Sequence, residues 1–259
     1  MNIRYPAVAG SFYPESAEEL RQTLNQLLTK APKNSCHPKA LIAPHAGYIY
    51  SGPIAATAYN TLADMADKIH RVVLLGPAHR VPLRGIAMPD TDVFRTPLGD
   101  ITVDQKALDQ IQMLDCITTS GQAHAWEHSL EVHLPFLQQT LKDFELVPLV
   151  VGETEPEVVA NVIETLWGGE ETLIVVSTDL SHYLKYQDAQ KQDYTTTEAI
   201  EHLTCHIDGQ QACGCNPLNG LLLATQHHHL KLTTLDLRNS GDTAGPKDHV
   251  VGYGAYAIH

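Results

Sequence analysis

Short apolar runs alternate with longer amphipathic stretches along this chain. Strand-like runs of aliphatic and β-branched residues lie at 40–43, 72–75, 145–151, 172–177, 230–237 and 250–258. Helical spacing of apolar residues predicts helices over 16–28, 53–66, 104–113, 123–136, 156–166, 193–206 and 217–226, and a polar linker over 31–38. The alternation predicts an α/β fold, one layered domain over residues 1–259 with a central mixed, mainly parallel sheet flanked by helices.

Three of these strand-like runs are followed at once by side chains that can bind metal or move protons. His45 follows the run at 40–43, His79 follows 72–75, and Asp179 and His182 follow 172–177. In open α/β sheets, ligands bind beyond the carboxyl ends of the strands. A single histidine would be read as a surface or satisfied polar residue, but the repeated pattern favours one shared site.

One stretch leaves two alternatives open, and two others carry histidines that need an interpretation. Residues 76–99 hold several prolines and arginines, which fits either a functional loop or a pair of edge strands at 86–88 and 91–94. In the helix predicted over 123–136, Glu127 and Glu131 share a face, with histidines spread around it. The order is not His-Glu-x-x-His, so a zinc protease is excluded. His227-His228-His229 is interpreted as a solvated helix end.

Charge and cysteine usage narrow the class of protein. The formal net charge of −13 argues against a nucleic-acid partner or an anionic membrane surface. Neither a signal-like start nor a membrane-length apolar run is present, so a cytoplasmic location is expected. The chain has five cysteines, an odd number. Each is expected to be a small buried apolar residue unless its surroundings indicate otherwise. Cys213-Gly-Cys215 is the exception, because a thiol at a predicted helix start should have a lowered pKa and favour the metal-binding thiolate.

Seven strings are then informative together: AVAGSFYP, LIAPHAGYIYSG, LLGPAHRVPL, FRTPLGDITVD, EHSLEVHLPF, VVSTDLSHY and CGCNPL. In this order they resemble the Memo family, whose bacterial and archaeal members are called AmmeMemoRadiSam system protein B. The resemblance implies a fold like the catalytic subunit of class III extradiol dioxygenases, and a pocket built from His45, His79, His182 and Cys213. Those dioxygenases bind iron with two histidines and a glutamate; here Cys213 stands where the glutamate would be, so ring cleavage is not implied.

Two hypotheses about function follow. In the first, His45, His79 and Cys213 bind one transition metal ion, iron by expectation with copper or zinc as alternatives, in a redox enzyme of unknown substrate. His182 and Asp179 are then the catalytic residues. His182 either moves protons or is a fourth metal ligand, and Asp179 orients a histidine. In the second, the same pocket is a non-catalytic adaptor site for a peptide or small anion. The resemblance also implies functional association with a radical-type enzyme and the family's companion protein.

Overall fold

The computed structural model describes residues 1–33 and 36–259, so part of the predicted linker 31–38 lies outside the described residues. Its strands are β1 Ile3–Arg4, β2 Ala40–Ala43, β3 Arg71–Pro77, β4 Ile86–Met88, β5 Val93–Thr96, β6 Gly99–Thr102, β7 Ile117–Thr119, β8 Glu145–Val151, β9 Thr172–Ser177, β10 His182–Leu184, β11 Leu232–Asn239 and β12 Val250–Ile258. Its helices are α1 Ala17–Lys30, α2 Tyr48–Tyr59, α3 Gln105–Ile111, α4 Gly121–Ala125, α5 His128–Glu131, α6 Leu134–Thr140, α7 Pro156–Thr165, α8 Tyr186–Glu201 and α9 Cys215–His227, with 3-10 turns at Asn60–Met65 and Ser240–Asp242.

A mixed sheet forms the centre of the molecule. Its order is β10-β12-β2-β9-β3-β8-β4-β7, with β11 paired to β12. The four central strands β2, β9, β3 and β8 are parallel and buried along nearly their whole length, which explains why they read as continuous apolar runs. The predicted α/β fold with a mixed sheet flanked by helices is therefore confirmed.

The strands that flank the parallel centre of this sheet pair with it in the antiparallel direction. β12 pairs antiparallel with β2, β10 and β11, and β4 pairs antiparallel with β8. A second, small sheet has the order β1-β5-β6. For the stretch 76–99, strands are present at β4 and, two residues later than expected, at β5. Neither is an edge strand, because β4 lies between β8 and β7 and β5 lies between β1 and β6.

Helix α2 begins earlier than the sequence indicates. Ser51-Gly52-Pro53 is a typical helix start, yet the helix begins at Tyr48 and contains Pro53. The N–H of Tyr48 donates to the carbonyl of Phe12 at 2.8 Å, so a contact with the N-terminal segment fixes the first turn. The prediction of a start at Pro53 was wrong because this contact is between residues distant in sequence.

The prediction of a single helix over 123–136 is also wrong. The chain forms three short helices, α4, α5 and α6, with breaks at Trp126-Glu127 and Val132-His133. Glu127 caps α5 by accepting hydrogen bonds from the N–H groups of His128 and Ser129, so it lies outside the helix rather than on a face shared with Glu131. In the described residues, no helix has both the length and the apolar character needed to cross a bilayer.

Candidate metal centre

The register of the central strands brings the predicted residues together. Ala43 of β2 lies opposite Ser177 of β9, so His45 and Asp179, each two positions further on, emerge at the same level. His79 comes two positions after the end of β3, the other neighbour of β9. These residues open into a cleft of about 990 Å³, whose lining includes His45, His79, His128, Asp179, His182 and Cys213. The convergence predicted from the strand ends is therefore present.

His45 is held as a neutral imidazole with one free nitrogen. It is 2% exposed, and burial, followed by the neighbouring histidines, lowers its pKa well below the usual value. Its Nδ1 lies 2.6 Å from the hydroxyl of Ser177, which itself donates to the carbonyl of Ser129 at 2.6 Å. Because the hydroxyl proton is used there, Nδ1 must be the donor to Ser177. Nε2 therefore carries the lone pair, and it faces Cys213 Sγ at 3.3 Å.

His79 is oriented by Glu127, a residue whose role the sequence did not reveal. The buried Glu127 carboxylate accepts from the His79 backbone N–H at 2.6 Å and from His79 Nδ1 at 3.1 Å. Burial alone would raise the pKa of Glu127, but hydrogen bonds from the His79 ring and from the backbone of Ser129 and His79 lower it to about 2. A carboxylate that fixes Nδ1–H leaves Nε2 free, which is the usual arrangement behind a metal-ligating histidine.

His128 is the residue that sequence reasoning missed. It is the first residue of α5, and its ring stacks on that of His79 with centroids 4.9 Å apart. Single donor atoms of His45, His79 and His128 all lie within 4.8 Å of one another. Burial lowers the pKa of His128 to about 4, and its Nδ1 is buried without a hydrogen-bond partner in the described residues. The Glu-His pair before a helix start was the available signal, hidden by the assumption of one long helix.

Cys213, rather than Cys215, faces the cleft. Its Sγ accepts from the N–H of Asp179 at 3.3 Å and contacts His45 Nε2, whereas Cys215 is the first residue of α9 with its Sγ 3.8 Å from Asn216 Oδ1. The expectation of a lowered thiol pKa is wrong: burial, and next the charge of Asp179, raise the pKa of Cys213 to about 12. Desolvation of the thiolate outweighs the field of the helix end.

Asp179 contacts His45 rather than His182. Its Oδ1 accepts from the His45 backbone N–H at 2.8 Å, and its Oδ2 lies 3.9 Å from His45 Nε2. Burial raises its pKa to about 7. His182 begins β10 at the cleft wall, and burial lowers its pKa; among the described residues it makes no hydrogen bond to Asp179. The histidine that Asp179 positions is therefore His45.

The second glutamate of the segment anchors the N-terminus instead of serving the site. Glu131 is fully buried and accepts from four groups of the N-terminal segment: the guanidinium of Arg4, the N–H groups of Ala7 and Val8, and the hydroxyl of Tyr13. This anchoring places Phe12 against His128, with ring centroids 4.8 Å apart. The N-terminal segment thereby forms one wall of the cleft.

The remaining candidate histidines lie elsewhere. His124 and His133 are buried in the core, where their rings contact the Ala87 carbonyl and the Tyr59 hydroxyl at 2.9 and 2.8 Å. At the end of α9, His228 lies 2.7 Å from Glu164 and stacks on Trp167 at 3.8 Å. The adjacent histidines 227–229 thus belong to a helix end remote from the cleft.

Comparisons with known proteins agree with the family resemblance that the seven sequence strings indicate. The family model described as Memo-like protein matches residues 4–257. A MEMO1 family protein of Aquifex aeolicus is 37% identical to the chain, and the match covers 98% of each protein. MEMO1 family proteins of Aeropyrum pernix and Methanosarcina acetivorans are each 34% identical, and these matches cover 100% of the chain and 100% of each relative. A crystal structure of the uncharacterized protein JW3007 from Escherichia coli K12 shares the fold, with a TM-score of 0.53 and 13% identity over 85% of this chain and 99% of its own. On its sequence and over its whole length, this chain belongs to the Memo family.

Proposed function

We propose that the cleft is the metal centre of a redox enzyme, with a single transition metal ion bound by His45, His79 and Cys213. Iron is the ion expected, with copper and zinc as alternatives. The observation that supports this most directly is the convergence of imidazole donors within 4.8 Å of one another at the ends of the central strands, beside a cysteine sulfur. Mixed imidazole and thiolate donors suit iron, copper and zinc and are a poor match for magnesium or calcium.

The donor groups are in a state that suits a metal ion. The hydrogen bonds of Ser177 and Glu127 hold the Nδ1 protons of His45 and His79, which leaves both Nε2 atoms as ligand atoms. Only the thiol of Cys213 must lose a proton, and its raised pKa reflects burial without a compensating positive charge. A bound cation would provide that charge, because a coordinating thiol is deprotonated outright.

The third ligand has two candidates, Cys213 and His128. We assign Cys213 because the free Nε2 of His45 already faces its sulfur at 3.3 Å. His128 instead stacks on His79 and packs against Phe12. In this arrangement His128 remains a neutral base beside the ion, since its pKa is lowered to about 4.

The chain's own residues supply positioning and proton transfer. A bound iron ion would supply electron transfer and activation of small molecules. Asp179 fixes the backbone of His45, and Glu127 fixes both the backbone and the ring of His79. His182 faces the same cleft as a neutral imidazole that can accept a proton from a bound substrate.

The first experiment measures metal content in protein purified without an affinity tag. Wild type should carry about one transition metal ion per chain, and His45→Ala and His79→Ala should each lose it while remaining folded, because neither side chain packs in the apolar core. His70→Ala, an exposed histidine whose Nδ1 contacts only the Asp143 carbonyl, is the matched control and should retain the ion. Full metal in both site variants would place the ion elsewhere.

The second experiment separates the ligands and tests the redox role. Copper(II) added to the wild type should give a thiolate-to-copper absorption band that Cys213→Ser abolishes and His128→Ala retains. A wild type that binds copper without this band, together with a His128→Ala variant that no longer binds copper, would make His128 the ligand. Iron-loaded wild type with ascorbate should then consume oxygen faster than the same iron free in solution. Stoichiometric iron with no such consumption would favour the non-catalytic adaptor function.

A further inference from the structure

We infer that the outer part of the cleft binds an organic anion, a carboxylate joined to a flat apolar group, and that Arg80 binds its carboxylate. The inference rests on the proposed function, since it names the substrate class of the same site. Arg80 directly follows His79, and both side chains line the cleft. An anion bound by Arg80 would therefore lie beside the proposed metal ligands.

The cleft does not share the strongly negative charge of the chain. The chain has 30 Asp and Glu against 17 Lys and Arg. Among the described residues that line the cleft, Asp179 is the sole carboxylate and Arg80 the sole lysine or arginine. Asp179 is 4% exposed and already accepts the His45 N–H, so it presents little negative charge to a ligand. The cleft is thus a local exception, open to anions, on a strongly acidic protein.

Among the described residues, Arg80 also has no carboxylate partner. Five other arginines lie within 4.0 Å of a carboxylate, in the pairs Arg4–Glu131, Arg71–Asp104, Arg84–Glu153, Arg95–Asp100 and Arg238–Asp236. Across residues 1–33 and 36–259, Arg80 has no such pair; Arg21 shares this property but lies on α1, outside the cleft lining. A planar guanidinium that faces a cleft without a carboxylate matches a carboxylate ligand in a two-bond geometry.

A single arginine also favours a carboxylate over a phosphate. Phosphate groups in proteins are bound by several cations or by a helix N-terminus. Here Gln192, Gln210 and Ser240 of the same lining supply amide and hydroxyl groups. Such groups complement the remaining lone pairs of a carboxylate without adding charge.

Aromatic side chains line the same space and would contact the flat apolar part of the ligand. They are Phe12, Tyr50, Tyr183 and Tyr253. Tyr183 is 73% exposed and has a φ of 59°, at an irregularity in the pairing of β10 with β12. A bulky residue in this conformation is strained, and such strain is found where a side chain is held for a ligand. Aromatic faces pack well on planar groups.

The test compares benzoate with its neutral counterpart benzamide, using the full-length chain. Binding is measured by isothermal titration and ligand-observed NMR, on both chelator-treated and metal-loaded protein, at low and at high salt. Wild type should bind benzoate about tenfold more tightly than benzamide, as expected for a charge-assisted bond. Arg80→Gln should abolish this preference in both metal states, and added salt should weaken the binding of benzoate alone.

Arg84→Gln is the matched control, because Arg84 is almost fully exposed and pairs with Glu153 outside the cleft. It should leave the preference unchanged, and Arg80→Gln should keep its metal ion. Equal affinities for the two probes in wild type, a preference that survives Arg80→Gln, or failure of both probes to bind at about 10 mM would each overturn the inference. A wild type that binds no metal would instead refute the proposed function. Failure of the carboxylate inference and failure of the metal proposal can be told apart, because the probes are also measured on chelator-treated protein.

Discussion

Replacing Glu127 with glutamine should weaken the metal site without removing any ligand. The carboxylate is 2% exposed; Oε2 accepts from the His79 N–H, and Oε1 accepts from His79 Nδ1 and from the N–H groups of His128 and Ser129. Whichever way the amide of Glu127→Gln lies, its NH₂ meets at least one N–H donor. Since Oε2 has the single partner, the amide nitrogen should take its place and lose the bond to the His79 backbone.

The magnitude follows from two independent considerations. A buried hydrogen bond to a charged group contributes about 1.5–3 kcal/mol. A pKa lowered from 4.5 to about 2 corresponds to about 3 kcal/mol of stability. Because the folded-state pKa of Glu127 is lowered, this stability is present above pH 4.5 and is lost as the pH falls toward 2. Loss of the carboxylate charge and of the bond to the His79 backbone, with the bond to the His79 ring retained, should also weaken metal binding by about tenfold.

Two assays check this, with Glu131→Gln as the control in the same segment. Urea unfolding of chelator-treated protein from pH 3 to 7 should show a smaller acid-dependent loss of stability in Glu127→Gln than in wild type, and competition with a chelator should show its weaker metal binding. Glu131→Gln should lose stability through Arg4 while keeping metal affinity within about threefold, because Glu131 hydrogen-bonds none of the three site histidines. Unchanged metal affinity in Glu127→Gln, or equal losses in both variants, would refute the role assigned to Glu127.

Three further predictions concern the opposite wall of the site. Cys213→Ser should lose at least about tenfold in metal affinity and Cys215→Ser little, measured by chelator competition; equal losses would mean that both sulfurs bind. Asp179 has a raised pKa in the folded state, so chelator-treated protein should lose stability as the pH rises from about 4 to about 7, and Asp179→Asn should flatten that dependence in thermal unfolding. Gly214→Ala would bring a Cβ into steric overlap with the Ser177 carbonyl oxygen, so it should displace the Cys213 loop from β9 and lower both the unfolding midpoint and the metal content. A variant with wild-type metal content would contradict this packing.

Much of the architecture was readable from local pattern. The buried strands β2, β8, β9 and β12 have the bounds that their apolar runs predict, because strands covered on both faces need apolar residues at every position. His45 and Asp179 were identifiable for the same reason. A polar residue directly after such a run must lie at the carboxyl edge of the sheet, wherever the strand sits within it.

Contacts between distant residues were not readable in this way. The break between α4 and α5 falls at Glu127, which caps α5 and whose carboxylate accepts from the backbone N–H of His79, a residue distant in the sequence. The helical spacing of residues 123–136 gives no sign of this contact. His128 lies in the site for the same reason, because it is the first residue of the helix that Glu127 caps. The thiol pKa was predicted in the wrong direction because a helix end can be inferred from sequence, whereas the degree of burial of Cys213 cannot.

The sequence by itself thus determined the family, the central strands and the two residues that emerge at matching levels from β2 and β9. Only the tertiary structure decided which partner each polar side chain meets: Asp179 with His45, Glu127 with His79, and Arg80 with no carboxylate of the described chain. The physical reason is the distance along the chain over which each property is set. Strand burial and hydrophobic period are properties of neighbouring residues, while hydrogen-bond partners and desolvation depend on which segments the fold brings within a few ångströms of one another.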